Sequence, residues 1–208
     1  MRDRSVPALI LAGGLSRRMG RDKASADLAG ERMIVRVADR LGPQVDALAV
    51  NAPEGFAVDL GLPLIPDTLA GRPGPLAGVL AGLRHALATM PEATHLLTVP
   101  ADTPFLPPDL VARLDAAVVA PDQIVLAASV GQVHPVVALW PVSLVGDLQE
   151  WLADPGHRRL QAFIARHPSV AIDFPLLATP AGDLDPFFNV NTPDDLATAE
   201  RFLKALTI

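Results

Sequence analysis

Apolar positions along the chain alternate between continuous runs and helical stripes. Val6 to Leu11 is unbroken apolar sequence leading into Gly13 and Gly14, as expected of a strand buried on both faces. Glu31 to Leu41 carries Ile34, Val37, Ala38 and Leu41 at the i, i+3, i+4, i+7 spacing of an amphipathic helix. Asp46 to Asn51 predicts a short strand and Leu62 to Ile65 a weaker one. Leu76, Val79, Leu80, Leu83 and Leu87 form a second helical stripe, entered through Pro73-Gly74-Pro75. His95 to Val99 predicts a strand, followed by the turn Pro100 to Pro104. A helix then opens near Pro107-Pro108, proline being tolerated in a first turn, and runs to about Val119.

The second half continues the alternation. Strands are expected at Ile124 to Ala128, Val133 to Leu139 and Val170 to Phe174, with helices over Leu144 to Leu152 and Arg158 to Ala165. Thr192-Pro193-Asp194-Asp195 reads as a helix start: a capping hydroxyl, a proline in the first turn and two acids at the positive end of the dipole. Leu196, Ala199, Leu203 and Leu206 supply its buried stripe. Strands alternating with helices imply an α/β protein with a mostly parallel sheet covered on both faces. In such sheets ligands sit beyond the carboxyl ends of the strands, which selects the loops where chemistry is to be sought.

Composition narrows the function classes. The chain has 208 residues, 50% of them apolar, and a mean hydropathy of +0.32. Only 19% are charged, below the usual quarter, which excludes a disordered chain. A net charge of −6 and a pI near 5.2 argue against a protein that coats nucleic acid or anionic membranes, and leave a local nucleotide pocket open. With no cysteine, disulfides, thiolate metal sites and cysteine nucleophiles fall away together. No run approaches the roughly 18 apolar residues of a membrane span. Val6 to Ala12 reads as a first strand rather than a signal peptide, so the expected location is the cytoplasm.

Two loops at predicted strand ends stand out. Leu11-Ala12-Gly13-Gly14 continues through Ser16-Arg17-Arg18-Met19-Gly20-Arg21-Asp22-Lys23. It is not a P-loop, because five residues separate Gly14 from Gly20 and no Gly-Lys follows. Paired glycines let backbone N–H groups approach a ligand closely. Arg17, Arg18, Arg21 and Lys23 gather cations in a chain whose other lysine is Lys204. Polyphosphate binding explains that arrangement; a tight turn with a solvated basic face is the alternative. In the second loop, Asp102 closes the strand before Thr103-Pro104. A carboxylate there suits Mg²⁺, which usually takes one or two carboxylates and lets substrate phosphates complete its shell. Taken alone, Asp102 serves equally well as a cap or turn residue.

Together with Leu11 to Lys23, the segments Pro73 to Gly78, Pro100 to Pro104, His134-Pro135 and Asn189-Val190-Asn191-Thr192-Pro193 resemble the molybdenum cofactor guanylyltransferase family, in matching order across nearly the whole chain. The resemblance implies a three-layer α/β/α, Rossmann-like nucleotidyltransferase fold in a single domain, with residues 1–104 as the nucleotide-binding half and 105–208 as the acceptor-binding half. It implies transfer of GMP from GTP to molybdopterin, giving the guanine dinucleotide cofactor and pyrophosphate. The product would pass to molybdenum cofactor delivery proteins and molybdoenzymes. Carried over by position, Leu11, Ala12 and Gly13 contact the nucleotide through backbone groups, and Lys23 binds its phosphates. Asn51 and Asp67 contact the nucleoside, and Asp102 holds Mg²⁺ while also lying on GTP. Asn189, Asn191 and His134 fall on the acceptor side, with Arg158-Arg159 as further candidates. Each has a plainer use: Asn51 as a strand end, Asp67-Thr68 as a turn, Asn189 and Asn191 as capping residues. The remaining histidines are expected at the surface.

Attack of a phosphate oxygen on the α-phosphorus needs positioning and charge neutralisation more than covalent help. Lys23, Arg18 and Mg²⁺ on Asp102 would stabilise charge on the departing pyrophosphate. The nucleophile is a phosphate monoester with a second pKa of about 6, so no histidine or carboxylate is expected as its general base. Two other classes compete. A related nucleotidyltransferase could use CTP or a sugar phosphate, although the cytidylyl pattern at the first loop resembles Leu-Ala-Ala-Gly rather than Ala12-Gly13-Gly14. A non-catalytic carrier of the cofactor would have no use for Lys23 and Asp102 together.

Overall fold

The computed structural model describes residues 5–13, 26–56, 60–69 and 74–206. Strand β1 (Pro7–Leu11) is followed by a small antiparallel hairpin, β2 (Asp27–Leu28) with β3 (Glu31–Arg32), and by helix α1 (Met33–Leu41). β4 (Ala47–Asn51), the two-residue β5 (Leu64–Ile65), α2 (Pro75–Thr89), β6 (His95–Pro100) and α3 (Leu110–Ala116) come next. The second half holds β7 (Ile124–Ser129), β8 (Gln132–Pro141), α4 (Val145–Ala153), α5 (Leu160–Ile164) and β9 (Ser169–Asp173). A second hairpin, β10 (Leu177–Thr179) with β11 (Gly182–Leu184), precedes the last helix, α6 (Pro193–Leu206).

Seven strands form one sheet in the order β5-β4-β1-β6-β8-β7-β9. Every neighbouring pair is parallel except the two made by β8, which runs against both β6 and β7. The sheet is therefore mostly parallel, as the alternation of runs and stripes implies. Successive residues of β1 serve opposite layers. Ala8 and Ile10 pack with Ile34, Val37 and Leu41 of α1 and Leu110 and Leu114 of α3. Leu9 packs with Leu76, Leu80 and Leu83 of α2, Leu148 of α4 and Phe163 of α5. Two buried layers on one strand are why its sequence is apolar without interruption. A third cluster, Leu28, Met33, Phe105, Leu184, Val190 and Ala199, joins α6 to the first hairpin.

Three boundaries differ from the sequence expectation, each for a local reason. Glu31 and Arg32 pair with β2 instead of starting α1, because Ala29 and Gly30 (φ 55° and 84°) form a two-residue hairpin turn. The helix expected from Pro107-Pro108 to about Val119 forms only over Leu110–Ala116. It is preceded by a turn closed by the Leu110 N–H on the Pro107 carbonyl, and its end is tightened by the Ala117 N–H on Leu114 O. The helix expected at Arg158 to Ala165 is confined to Leu160–Ile164, since Arg159 is extended (φ −82°, ψ 116°). The two small hairpins carry too few residues to show a periodicity.

The β7–β8 turn carries strain. Val130 and Gly131 both have positive φ, 50° and 72°, the signature of a type I′ turn that favours Asn-Gly. A β-branched residue there is an outlier, and Val130 is 64% exposed, so little burial offsets the cost. Val130→Asn is expected to stabilise the fold by about 1 kcal/mol and to raise Tm by about 2–4 °C in thermal denaturation. A lowered Tm would show that the valine is held by contacts that outweigh its backbone strain.

Candidate active site

Three strand ends meet at the centre of the carboxyl edge. From β1 the chain crosses through α1 to β4 on one side; from β5 it returns through α2 to β6 on the other. The strand order thus reverses between β1 and β6, the switch point at which open α/β sheets bind ligands. Backbone bonds knit the ends together: the Ala12 N–H donates to Asn51 O at 2.8 Å, and the Ala101 N–H to Leu11 O at 3.1 Å. Leu11, Ala12 and Gly13 therefore stand between Asn51 and Asp102. Arg18 and Lys23, with Arg17, Arg21 and Gly14, lie outside the described residues.

On the β4 side, Asn51 is buried, 4% exposed, and its amide donates to Ile65 O and to Asp67 Oδ1, both at 2.9 Å. The side chain thereby joins β4 to the segment after β5 and fixes one oxygen of the exposed Asp67 carboxylate. Arg84 of α2 steadies the same segment by donating to Thr68 Oγ1 at 2.7 Å. Gly78, on the first turns of α2, makes the arrangement possible. A Cβ there would overlap the Asn51 amide oxygen and come within 2.7 Å of Leu11 Cδ2. The helix itself opens after Gly74 (φ 81°) with Pro75 in its first turn, and the Arg158 carbonyl lies 3.9 Å from where a Cβ on Gly74 would stand.

On the β6 side, half-buried Asp102 is tied to the C-terminal segment, its carbonyl accepting the Val190 N–H at 2.9 Å. Val190 is buried, while Asn189 on one side of it is exposed and Asn191 on the other is half-buried. The Asn191 amide donates to Asn189 Oδ1 at 2.9 Å. Asp195 Oδ2 accepts the N–H groups of Asn191 and Thr192, and the Asp195 N–H donates back to Thr192 Oγ1, a reciprocal cap of the kind that fixes a helix start. The two asparagines expected on the acceptor side thus flank Val190, the residue bonded to the Asp102 carbonyl.

His134 stands on the same edge because β8 runs antiparallel, which brings its first residues there. Pairing jumps from Leu126 with Ala138 to Ala127 with His134, so Pro135 to Val137 bulge out of the ladder. Thr98 braces the bulge, donating to Val136 O at 2.7 Å and accepting the Trp140 indole N–H at 2.9 Å. The His134 ring lies 4.7 Å from that of Phe187, and its Nε2 is 2.7 Å from Ser129 Oγ. Ser129 in turn donates to the Asp185 carboxylate, 2.8 and 2.9 Å from its oxygens. Burial pushes the His134 imidazole below the ordinary histidine range, and the Asp185 charge opposes this in part.

Arg158 donates to Leu152 O at 3.1 Å, and Arg159 is exposed. The other histidines are not simply on the surface, as the sequence suggested. His95 is buried, 3% exposed, with its ring nitrogens at Thr94 Oγ1 and Gln123 O. His157 stacks on Trp151 at 3.8 Å, and His167 Nε2 lies 3.0 Å from Asp147 Oδ2. Sequence reasoning missed Ser129 and Asp185. The one available signal was a hydroxyl ending the otherwise apolar run Ile124 to Ala128.

Backbone from the end of β1 seated between Asn51 and the turn that bears Asp102, at the switch point of a three-layer α/β/α frame, is the plan of a nucleotidyltransferase. The MobA-like NTP transferase domain family matches residues 8–170. A molybdenum cofactor guanylyltransferase from Sinorhizobium fredii is 54% identical over 202 residues, covering 96% of this chain and 93% of that one. One from Rhizobium meliloti is 52% identical over 202 residues, with 96% and 93% covered. Among solved structures, molybdopterin-guanine dinucleotide biosynthesis protein A from Archaeoglobus fulgidus superposes with a TM-score of 0.72 at 24% identity, over 95% of this chain and 98% of that one. The chain belongs to the MobA-like NTP transferase family, and its activity is nucleotidyl transfer.

Proposed function

We propose that the chain transfers GMP from GTP to molybdenum-loaded molybdopterin in the cytoplasm, releasing pyrophosphate. Residues 1–104 serve the nucleotide and residues 105–208 the acceptor. The carrying observation is the bond from Val190 N–H to Asp102 O, which seats the Asn189–Asn191 segment beside the turn whose Ala101 N–H bonds Leu11 O. The names of the 54% and 52% identical relatives support the choice of substrates. The product passes to delivery proteins or directly to molybdoenzymes. No helix among the described residues is long and apolar enough to cross a membrane.

In the reaction a phosphate oxygen of the acceptor attacks the α-phosphorus, the bond to the β-phosphate oxygen breaks, and the electron pair leaves with pyrophosphate. Backbone groups of Leu11, Ala12 and Gly13 hold the nucleotide, with Asn51 and Asp67 on the nucleoside and Asn51 also orienting Asp67. Lys23 and Arg18 neutralise the phosphates. Asn189, Asn191 and His134 position the acceptor. Asp102 is the residue that would hold Mg²⁺, and the donor set fits that ion. Among the described residues no three His, Cys, Asp or Glu side chains cluster as a protein cage would require, whereas magnesium takes one or two carboxylates plus substrate phosphates. When bound, the ion supplies charge neutralisation at the triphosphate.

The test offers GTP, CTP and ATP separately with the acceptor and Mg²⁺ and measures pyrophosphate. A site whose polar groups read the guanine edge rejects bases that leave those groups unpaired, by up to about 10⁴. GTP is therefore expected to be strongly preferred. Comparable specificity constants for GTP and CTP would remove the guanine assignment.

A further inference from the structure

Ser129, His134 and Asp185 have the composition of a hydrolytic triad but not its connectivity. In a triad the histidine stands between the acid and the nucleophile; here the serine stands between the acid and the histidine. Ser129 is fully buried, and its single proton points at a carboxylate. It is not a nucleophile. The hydroxyl can only relay orientation.

The relay has one consistent protonation pattern. An ionised carboxylate only accepts, and a serine hydroxyl carries one proton and two lone pairs. With that proton given to Asp185, Ser129 Oγ has only acceptor capacity left for His134. Nε2 must then carry the hydrogen, and in a neutral imidazole Nδ1 is the bare acceptor. Asp185 is itself fixed, because its Oδ1 also accepts the Phe187 N–H at 2.8 Å. Among the described residues no partner of His134 Nδ1 is found, and the ring is only half-buried. Phe187 sets its tilt at 41°.

We propose that Ser129 and Asp185 are positioning residues that hold His134 in the Nε2–H tautomer, so that Nδ1 accepts a hydrogen bond from a ring or exocyclic N–H of the pterin acceptor. The identity of that donor rests on the functional reading above; the tautomer does not. The arrangement discriminates by polarity: a heterocycle presenting only a lone pair to Nδ1 leaves two acceptors facing each other.

Heteronuclear NMR of the imidazole nitrogens reads the tautomer directly in the intact protein at neutral pH. His134 is expected as Nε2–H in the wild type. In Asp185→Asn, the side-chain oxygen stays on the Phe187 N–H and the amide group turns toward Ser129. The serine proton is then free to face His134, and the tautomer is expected to move toward Nδ1–H. The KM for molybdopterin should rise about tenfold, the worth of one hydrogen bond, while the KM for GTP stays within about twofold. Ser129→Ala should raise the same KM and leave a tautomer mixture, and it decides the matter if Asp185→Asn does not fold. A wild-type Nδ1–H tautomer, an unchanged tautomer in both variants, or equal shifts in both KM values would overturn the relay. Wild-type enzyme that releases no pyrophosphate from GTP and molybdopterin, yet shows the Nε2–H tautomer, would instead overturn the functional reading and leave the relay standing.

Discussion

Asp102→Asn is expected to lower the rate of pyrophosphate release by about 10²–10³, the usual loss on removing one preorganised electrostatic group from a reacting phosphate or carbonyl. The substitution keeps the volume of the side chain and leaves the carbonyl that receives the Val190 N–H in place, so the Asn189–Asn191 segment should stay seated. What it removes is the negative charge at the end of β6. Activity should therefore fall at all GTP concentrations, with thermal stability close to wild type. Raising Mg²⁺ should restore part of the rate if the loss is one of metal affinity. Lys23→Ala is expected to cost a comparable factor through the phosphates themselves. Pyrophosphate release at the wild-type rate by folded Asp102→Asn would take the carboxylate out of the mechanism.

Gly78→Ala is expected to damage nucleotide binding from behind, through the residues proposed to meet the nucleotide. The new methyl would overlap the Asn51 amide oxygen and press on Leu11 Cδ2, 2.7 Å away. Asn51 is bonded to Ile65 O and to Asp67, so its displacement releases the Asp67 carboxylate and loosens the edge strand β5. Overpacking of this kind costs about 1–3 kcal/mol in stability. The KM for GTP is expected to rise about tenfold or more, about 1.4 kcal/mol per decade, with the KM for molybdopterin little changed. Steady-state kinetics with each substrate varied in turn, beside a denaturation curve, checks both effects. Unchanged GTP kinetics in a destabilised protein would separate Asn51 packing from the nucleotide site.

The central strands were legible because burial on both faces writes an uninterrupted apolar run, and Val6 to Leu11 is one. The helical stripe of α1 was legible for the matching reason, since it buries a single side, whereas α2 is buried all round from Leu76 to Leu83 and leaves Leu87 of its expected stripe exposed. Direction is not written in a pattern of apolar positions. Even so, the four residues between the expected strands Ile124 to Ala128 and Val133 to Leu139 are far fewer than a parallel crossover needs, so the reversal of β8 was available from loop length. His95 was misplaced because an imidazole at a strand start reads as polar, and its two ring partners, Thr94 and Gln123, come together only in the fold. The same applies to Ser129 and Asp185, which lie 56 positions apart in sequence. No local pattern joins them. Short motifs mark the residues proposed to face the nucleotide, and long-range contacts decide which neighbours orient them.

The reversed strand has a consequence for how its edge of the sheet can diversify. On the β8 side, His134 stands on a strand reached from β7 by a two-residue turn at Val130 and Gly131, with its ring locked from behind by Ser129 and from the flank by Phe187. A slip of one residue in that pairing would send alternate side chains to the opposite face of the sheet, and a longer turn would release the bulge that aims the imidazole. On the proposed role of His134, adaptation to a different acceptor is therefore confined to side-chain replacement on a fixed hairpin.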